Sequence, residues 1–128
     1  MSGFVGTYNV SLDKKGRLNV PVKLRTLLEH RSPKVVVSVR KGYLKVFSEP
    51  DWDKEVEKHS HISAFDEEGQ KELREIFPKA AECEIKSGKI LIPAFQREAA
   101  GLQKEVRIEC MQNNFELWDP DHYKKECG

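Results

Sequence analysis

Apolar and polar positions alternate through Phe4, Gly6, Tyr8, Val10 and Leu12, and the alternation resumes at Leu18 and Val20 after the polar stretch Asp13-Lys14-Lys15-Gly16. A period of two marks a strand with one covered face, so the segment predicts strand, tight turn, strand. Asp closes such a turn with its own side chain, and Gly supplies the positive φ that a bulged hairpin loop requires. Pro21 stands where a first helical residue belongs, and Leu24, Leu27 and Leu28 follow at helical spacing. Next come Val35 to Val39 and Tyr43 to Phe47, a second β pair around Lys41-Gly42, and then Ser48 as cap of a helix that contains Trp52 and Val56.

The same grammar returns later in the chain. Gly16-Arg17-Leu18-Asn19-Val20-Pro21 aligns with Gly88-Lys89-Ile90-Leu91-Ile92-Pro93 at a shift of 72, and Leu44-Lys45-Val46-Phe47 aligns with Phe115-Glu116-Leu117-Trp118 at a shift of 71. In the second copy Val106, Ile108 and Cys110 form one strand and Phe115 and Leu117 the next, followed by Asp119 as cap and Pro120 at the first helical position. Two copies are too few for a solenoid, so they are expected to clasp each other in one core about a pseudo-twofold axis. The expected organisation is a single domain over residues 1–128, with repeats at about 4–53 and 80–125 joined by a helical acidic connector, 54–79. Within the connector, Asp66 to Phe77 reads as a helix with Phe65, Leu73, Ile76 and Phe77 on one face, ended by Pro78. The class is α+β, mainly β.

A length of 128 residues suits one ordinary domain with its own core, and no apolar run approaches the roughly 20 residues of a membrane span. The opening residues lack the basic start and apolar stretch of an export signal, and three cysteines without a C-x-x-C suit a reducing compartment. A cytoplasmic protein is expected. Net charge is only +1, yet residues 1–48 carry ten basic side chains against two acidic, residues 49–85 five against twelve, and residues 86–128 seven against seven. Such a basic block is an electrostatic footprint for a polyanion, provided the acidic block faces elsewhere.

The first hairpin tip concentrates that charge, because Lys14 and Lys15 sit at the apex and Arg17 begins the return strand beside Asp13. Lys is a mobile point charge suited to phosphate, whereas the Arg fork pairs bidentately with phosphate or with guanine in the major groove. Taken alone, Asp-Lys-Lys-Gly is an ordinary solvated turn. Packed about a pseudo-twofold axis, however, the second tip, Lys86-Ser87-Gly88-Lys89, shares a face with the first and adds Lys86 and Lys89, with Lys23 as a further candidate.

The set Gly6-Thr7-Tyr8, Leu12-Asp13-Lys14-Lys15-Gly16-Arg17-Leu18, Pro21, Leu24-Arg25, Ala80-Ala81-Glu82-Cys83-Glu84, Gly88, Ile90-Leu91-Ile92-Pro93, Ala100-Gly101-Leu102 and Glu116-Leu117-Trp118 resembles the MraZ family of bacterial transcriptional regulators. The resemblance covers nearly the whole chain. It implies an AbrB-like swapped-hairpin barrel of two diverged tandem repeats with short helices. It also implies a ring-forming homo-oligomer that binds double-stranded DNA at promoter repeats of the division and cell wall gene cluster, as a nucleoid-associated repressor. In that family an Asp-x-x-x-Arg motif marks the DNA-facing loop, here Asp13 and Arg17. The second copy departs from it: the stretch from Ile85 to Ile90 is one residue shorter than that from Leu12 to Leu18, the Asp is missing, and Lys89 answers Arg17. Phosphate contacts are expected from the second loop, and base discrimination from the first.

No enzyme, metal, cofactor, small-molecule substrate or membrane partner is expected. His59-Ser60-His61 lacks a nearby Cys, Asp or Glu that completes a ligand set, and His30 and His122 read as surface residues. Cys83 and Cys110 fall in predicted strands without an evident base, and Trp52, Phe77 and Trp118 read as core or subunit contacts rather than base-stacking platforms. The remaining alternative is an oligomeric protein-interaction module without specific DNA binding, in which the basic block meets an acidic partner.

Overall fold

A computed structural model describes residues 3–128; Met1 and Ser2, which open the segment read as lacking an export signal, lie outside the described residues. The first copy supplies β1 (Thr7–Ser11), β2 (Arg17–Asn19), α1 (Val22–Arg31), β3 (Lys34–Val39), β4 (Leu44–Ser48) and α2 (Glu49–Lys58). After α3 (Glu67–Ile76), the second supplies β5 (Ala81–Lys86), β6 (Lys89–Leu91), α4 (Ala94–Ala99), β7 (Glu105–Cys110), β8 (Phe115–Trp118) and α5 (Pro120–Glu126). The eight strands form one antiparallel sheet in the order β1-β7-β8-β4-β3-β5-β6-β2, curled so that its two edge strands meet at the Leu12–Leu18 bridge. The result is a nearly closed, mainly β barrel with exchanged hairpins and five short helices.

The exchange is explicit in the pairing. The first strand of each copy pairs with the third of the other, β1 with β7 and β5 with β3, while β2 pairs with β6 and β4 with β8. Equivalent residues face each other at two places: Leu18 opposite Ile90, and Lys45 opposite Glu116. A local twofold axis therefore runs through those two pairs. Inward residues from both copies, including Leu18, Val35, Leu44, Ile90, Ile108 and Phe115, fill one cluster, and Leu24 and Leu28 close it from α1. Stripping that apolar surface from water is the main favourable term, about 25 cal/mol per Å².

Several local details differ from the sequence reading. Pro21 caps α1 from outside (φ −55°, ψ 144°) and helical residues begin at Val22, because the proline fixes φ but leaves ψ free to stay extended. Ser48 and Asp119 do cap their helices, accepting from Asp51 N–H and His122 N–H, each followed by proline or acid in the first turn. Gly6, at φ +101°, interrupts the first alternating segment, so Phe4 forms a separate bridge to Gln112 ahead of β1. Phe65 does not join the apolar face of α3: it is 94% exposed. Asp66 is the cap, and the turn in which Asp66 N–H bonds Ser63 O places Phe65 ahead of the helical period. Gly69 takes the buried position instead, against Ile62. Trp52, Phe77 and Trp118 pack within the chain, with Trp52 between Phe47 (5.4 Å) and Phe77 (5.7 Å) and Trp118 stacked on Tyr43 at 4.3 Å.

At the axis the copies have diverged into charge partners. Lys45 Nζ lies 3.1 Å from Glu116 Oε2, and Trp118 Nε1–H donates to Glu116 Oε1 at 2.9 Å. Two identical copies would oppose like charges here, in a half-buried site that screens them poorly. Lys45→Glu or Glu116→Lys is therefore expected to lower Tm by several degrees, and the double exchange to regain at least half of the loss; calorimetric melting of the four proteins checks it, and independent effects would refute it.

Candidate nucleic-acid interface

The first tip is a three-residue loop with a bulge. Gly16 N–H bonds Asp13 O at 3.0 Å and Asp13 N–H bonds Arg17 O at 2.9 Å, with Gly16 in the left-handed region at φ +84°. The second tip is tighter: Lys86 pairs with Lys89 across Ser87 (φ 52°) and Gly88 (φ 73°). Positive φ at both central residues is the geometry of a type I′ turn, which two residues complete. The residue missing from the second copy thus has a structural meaning, since the shorter turn needs neither the bulge nor the Asp that organises it.

Asp13 organises the first tip. Its Oδ1 accepts from the backbone N–H groups of Lys15 and Arg17, both at 2.9 Å, and its Oδ2 lies 2.7 Å from Arg17 Nε and 3.3 Å from Lys89 Nζ. These bonds, led by the Arg17 backbone N–H, hold its carboxyl well below the usual carboxylate range. The Lys89 contact brings the two tips together. Arg17 is 44% exposed, and among the described residues its terminal Nη groups have no protein partner. Asp13 thus fixes the stem of the guanidinium through Nε and leaves the fork open.

The remaining predicted cations divide. Lys14 and Lys15 are exposed at the apex and, among the described residues, form no ion pair. Lys86 is 82% exposed with Glu84 at 4.0 Å, a separation at which an exposed pair contributes little. Lys23 stands apart on α1, beside a groove formed with Val5, Tyr8 and Leu27.

Two arginines that sequence reasoning left unassigned complete the surroundings of the tips. A β-carbon at Gly16 would lie 2.6 Å from both Cζ and Nη1 of Arg97 and 2.9 Å from its Nε. One at Gly88 would overlap Arg25 Nη1, with Cζ 3.1 Å away. Arg25 and Arg97 are equivalent under the same shift of 72 that relates the two glycines, and that shift was the available signal.

Elsewhere the chemistry is structural. Cys83 and Cys110 are half-buried against the core; burial pushes the Cys83 thiol up and the Cys110 thiol up to about 11. His59 sits between α2 and α3, its Nδ1 2.8 Å from Glu55 O and its Nε2 3.6 Å from a Glu72 carboxylate oxygen. His122, read as a surface residue, packs beside Trp118 at 5.5 Å and against Gly42. No helix among the described residues is long and apolar enough to cross a membrane.

An exchanged-hairpin barrel with two basic tips on one paired ribbon defines the class: a duplicated swapped-hairpin protein, mainly β. A family model described as "MraZ protein, putative antitoxin-like" matches the chain twice, over residues 4–75 and 76–126. Proteins named transcriptional regulator MraZ from Enterobacter sp. (strain 638) and Thioalkalivibrio sulfidiphilus are 36% and 35% identical, over 91% and 95% of this chain and 79% and 83% of theirs. One from Syntrophobacter fumaroxidans is 36% identical over 84% of this chain and 73% of its own length. The chain belongs to the MraZ family. Those relatives carry the name of a transcriptional regulator, which is not a class of enzyme.

The low Asp13 pKa makes tip stability depend on pH in one direction. The carboxylate's contribution is complete above its ordinary value of 3.8 and is lost as pH falls from there toward the depressed folded value. Asp13→Asn is expected to melt below the native protein at pH 7, with the gap narrowing below about pH 4; a gap that is constant with pH would contradict the assignment.

Proposed function

We propose that this chain is a sequence-specific, double-stranded DNA-binding transcriptional regulator that acts without a cofactor, and that the loop from Asp13 to Arg17 reads base edges. The observation that carries the reading is the half-committed Arg17: Nε is held by Asp13 while the exposed fork follows the loop that carries Lys14 and Lys15, which form no ion pair among the described residues. A guanidinium fixed in this way loses little freedom on engaging the O6 and N7 acceptors of guanine. Lys14, Lys15, Lys86 and Lys89 supply phosphate contacts that set register, with Lys89 giving up its hold on Asp13 in part.

The two repeats act as one unit under this proposal, with residues 54–79 turned away from the duplex so that their acidic excess does not oppose it. One protomer offers a small contact, so homo-oligomerisation into a ring on repeated promoter sites supplies the tightening; linked sites raise apparent affinity by roughly 10² to 10⁴ when spacing matches. The proposed target is the promoter of the division and cell wall gene cluster, with repression as the outcome, in the cytoplasm at the nucleoid. The names of the relatives support regulation of transcription.

Gel-shift titration against a duplex carrying the chain's own upstream region and a scrambled duplex tests the reading. Arg17→Ala is expected to cost roughly 1 to 3 kcal/mol on the cognate duplex and to blunt the preference, while Lys14→Ala and Lys15→Ala weaken both duplexes alike. The log-log salt slope should fall by about 0.9 for each lysine removed. Equal binding of the native protein to both duplexes would leave the interaction-module alternative standing.

A further inference from the structure

The two hairpin glycines are held by the opposite copy, and each is held twice. Gly16 O accepts from Ile92 N–H and Gly88 O accepts from Val20 N–H, both at 3.0 Å. The copy that donates Ile92 N–H also supplies Arg97 over Gly16, and the copy that donates Val20 N–H also supplies Arg25 over Gly88. Both glycines are buried, although the residues around them are largely exposed. Their positive φ values place the vacant β-carbon side toward these guanidinium groups, a position that any side chain would fill.

The two contacts differ in geometry. At Gly16, three atoms of the Arg97 plane are nearly equidistant from the vacant β-carbon position, so the guanidinium lies face-on over the glycine. At Gly88, Arg25 approaches by Nη1, with Cζ and Cδ further off. Among the described residues, Arg97 Nε is also buried without a hydrogen-bond partner.

We propose that Arg97 and Arg25 are positioning residues for the two tips: Arg97 sets the height and angle of the base-reading loop by lying flat on Gly16, and Arg25 does the same for the phosphate-contacting loop at Gly88. This rests on the reading of the tips as a DNA-binding surface. Each helix then steers the other copy's fingertip, so the tips move together with α1 and α4 and not as free loops. A planar face against glycine is what Arg provides and Lys does not. Because the tips have diverged, the two arginines have different consequences: Arg97 governs discrimination through Arg17, and Arg25 governs overall affinity through Lys86 and Lys89.

Amide hydrogen exchange and DNA binding on the full chain test this with Arg97→Ala, Arg97→Lys and Arg25→Ala. Without DNA, Arg97→Ala should speed exchange at Gly16 and Ile92 by at least fivefold and leave Val20 unchanged, whereas Arg25→Ala should do the reverse. Core amides such as Val36 serve as the check on global stability. With DNA, Arg97→Ala should lower the cognate-to-scrambled affinity ratio about tenfold, Arg97→Lys should not restore it, and Arg25→Ala should weaken both duplexes by one factor. Unchanged tip exchange in both alanine variants overturns the proposal, as does full rescue by Arg97→Lys. If the native protein binds both duplexes equally, the DNA reading fails, and the exchange data alone decide whether the arginines position the tips.

Discussion

The hydrogen bonds from Ile92 to Gly16 and from Val20 to Gly88 tie each hairpin to the other copy, and the rest of the molecule is arranged around that exchange. Strand β2 has only three residues and meets its own hairpin partner at a single bridge, so it is completed by β6 rather than by β1. A half-chain would leave these strand edges open and its inward residues without a facing layer. Burial of Leu18 against Ile90 at the local axis then fixes how far one hairpin slides along the other, because a slip of one residue would turn both side chains outward.

Covalent duplication permits what a symmetric pair of identical chains does not. Opposite signs meet at the axis in Lys45 and Glu116, whereas identical copies would place like charges there. At the tips, one copy keeps the carboxylate that orients its arginine, while the other has shed it for a two-residue turn. Lys89 of the shorter tip lies 3.3 Å from Asp13, so one carboxylate organises cations from both copies. The outcome is a surface with one oriented fork and several ammonium groups around it, which under the proposed function distinguishes bases at one point and follows phosphates around it.

Much of this was legible in the sequence, because it rests on short-range rules. Period-two alternation marked the first hairpin, Ser48 and Asp119 marked helix starts, and the spacing from Asp13 to Gly16 to Arg17 marked a bulged tip with Arg17 beside Asp13. What was not legible depends on the exchange itself. Nothing local announces that Lys89 meets Asp13 across 76 positions, or that Arg97 covers Gly16; those contacts exist only once β2 lies beside β6. Phe65 misled because helical spacing was counted through a cap, where the period does not hold. Gln96 is fully buried and donates to Val37 O and Lys79 O, yet its counterpart in the first copy is the apolar Leu24, so alignment gave no sign of a polar staple.

The most direct test of the tip assignment is amide hydrogen exchange of the native protein with and without a duplex carrying its upstream region. Protection concentrated at Lys14, Lys15, Gly16 and Arg17, with weaker protection at Ser87 and Lys89, is the predicted result. Protection centred on the acidic segment or on the far side of the barrel, with both tips exchanging as in the free protein, would contradict it.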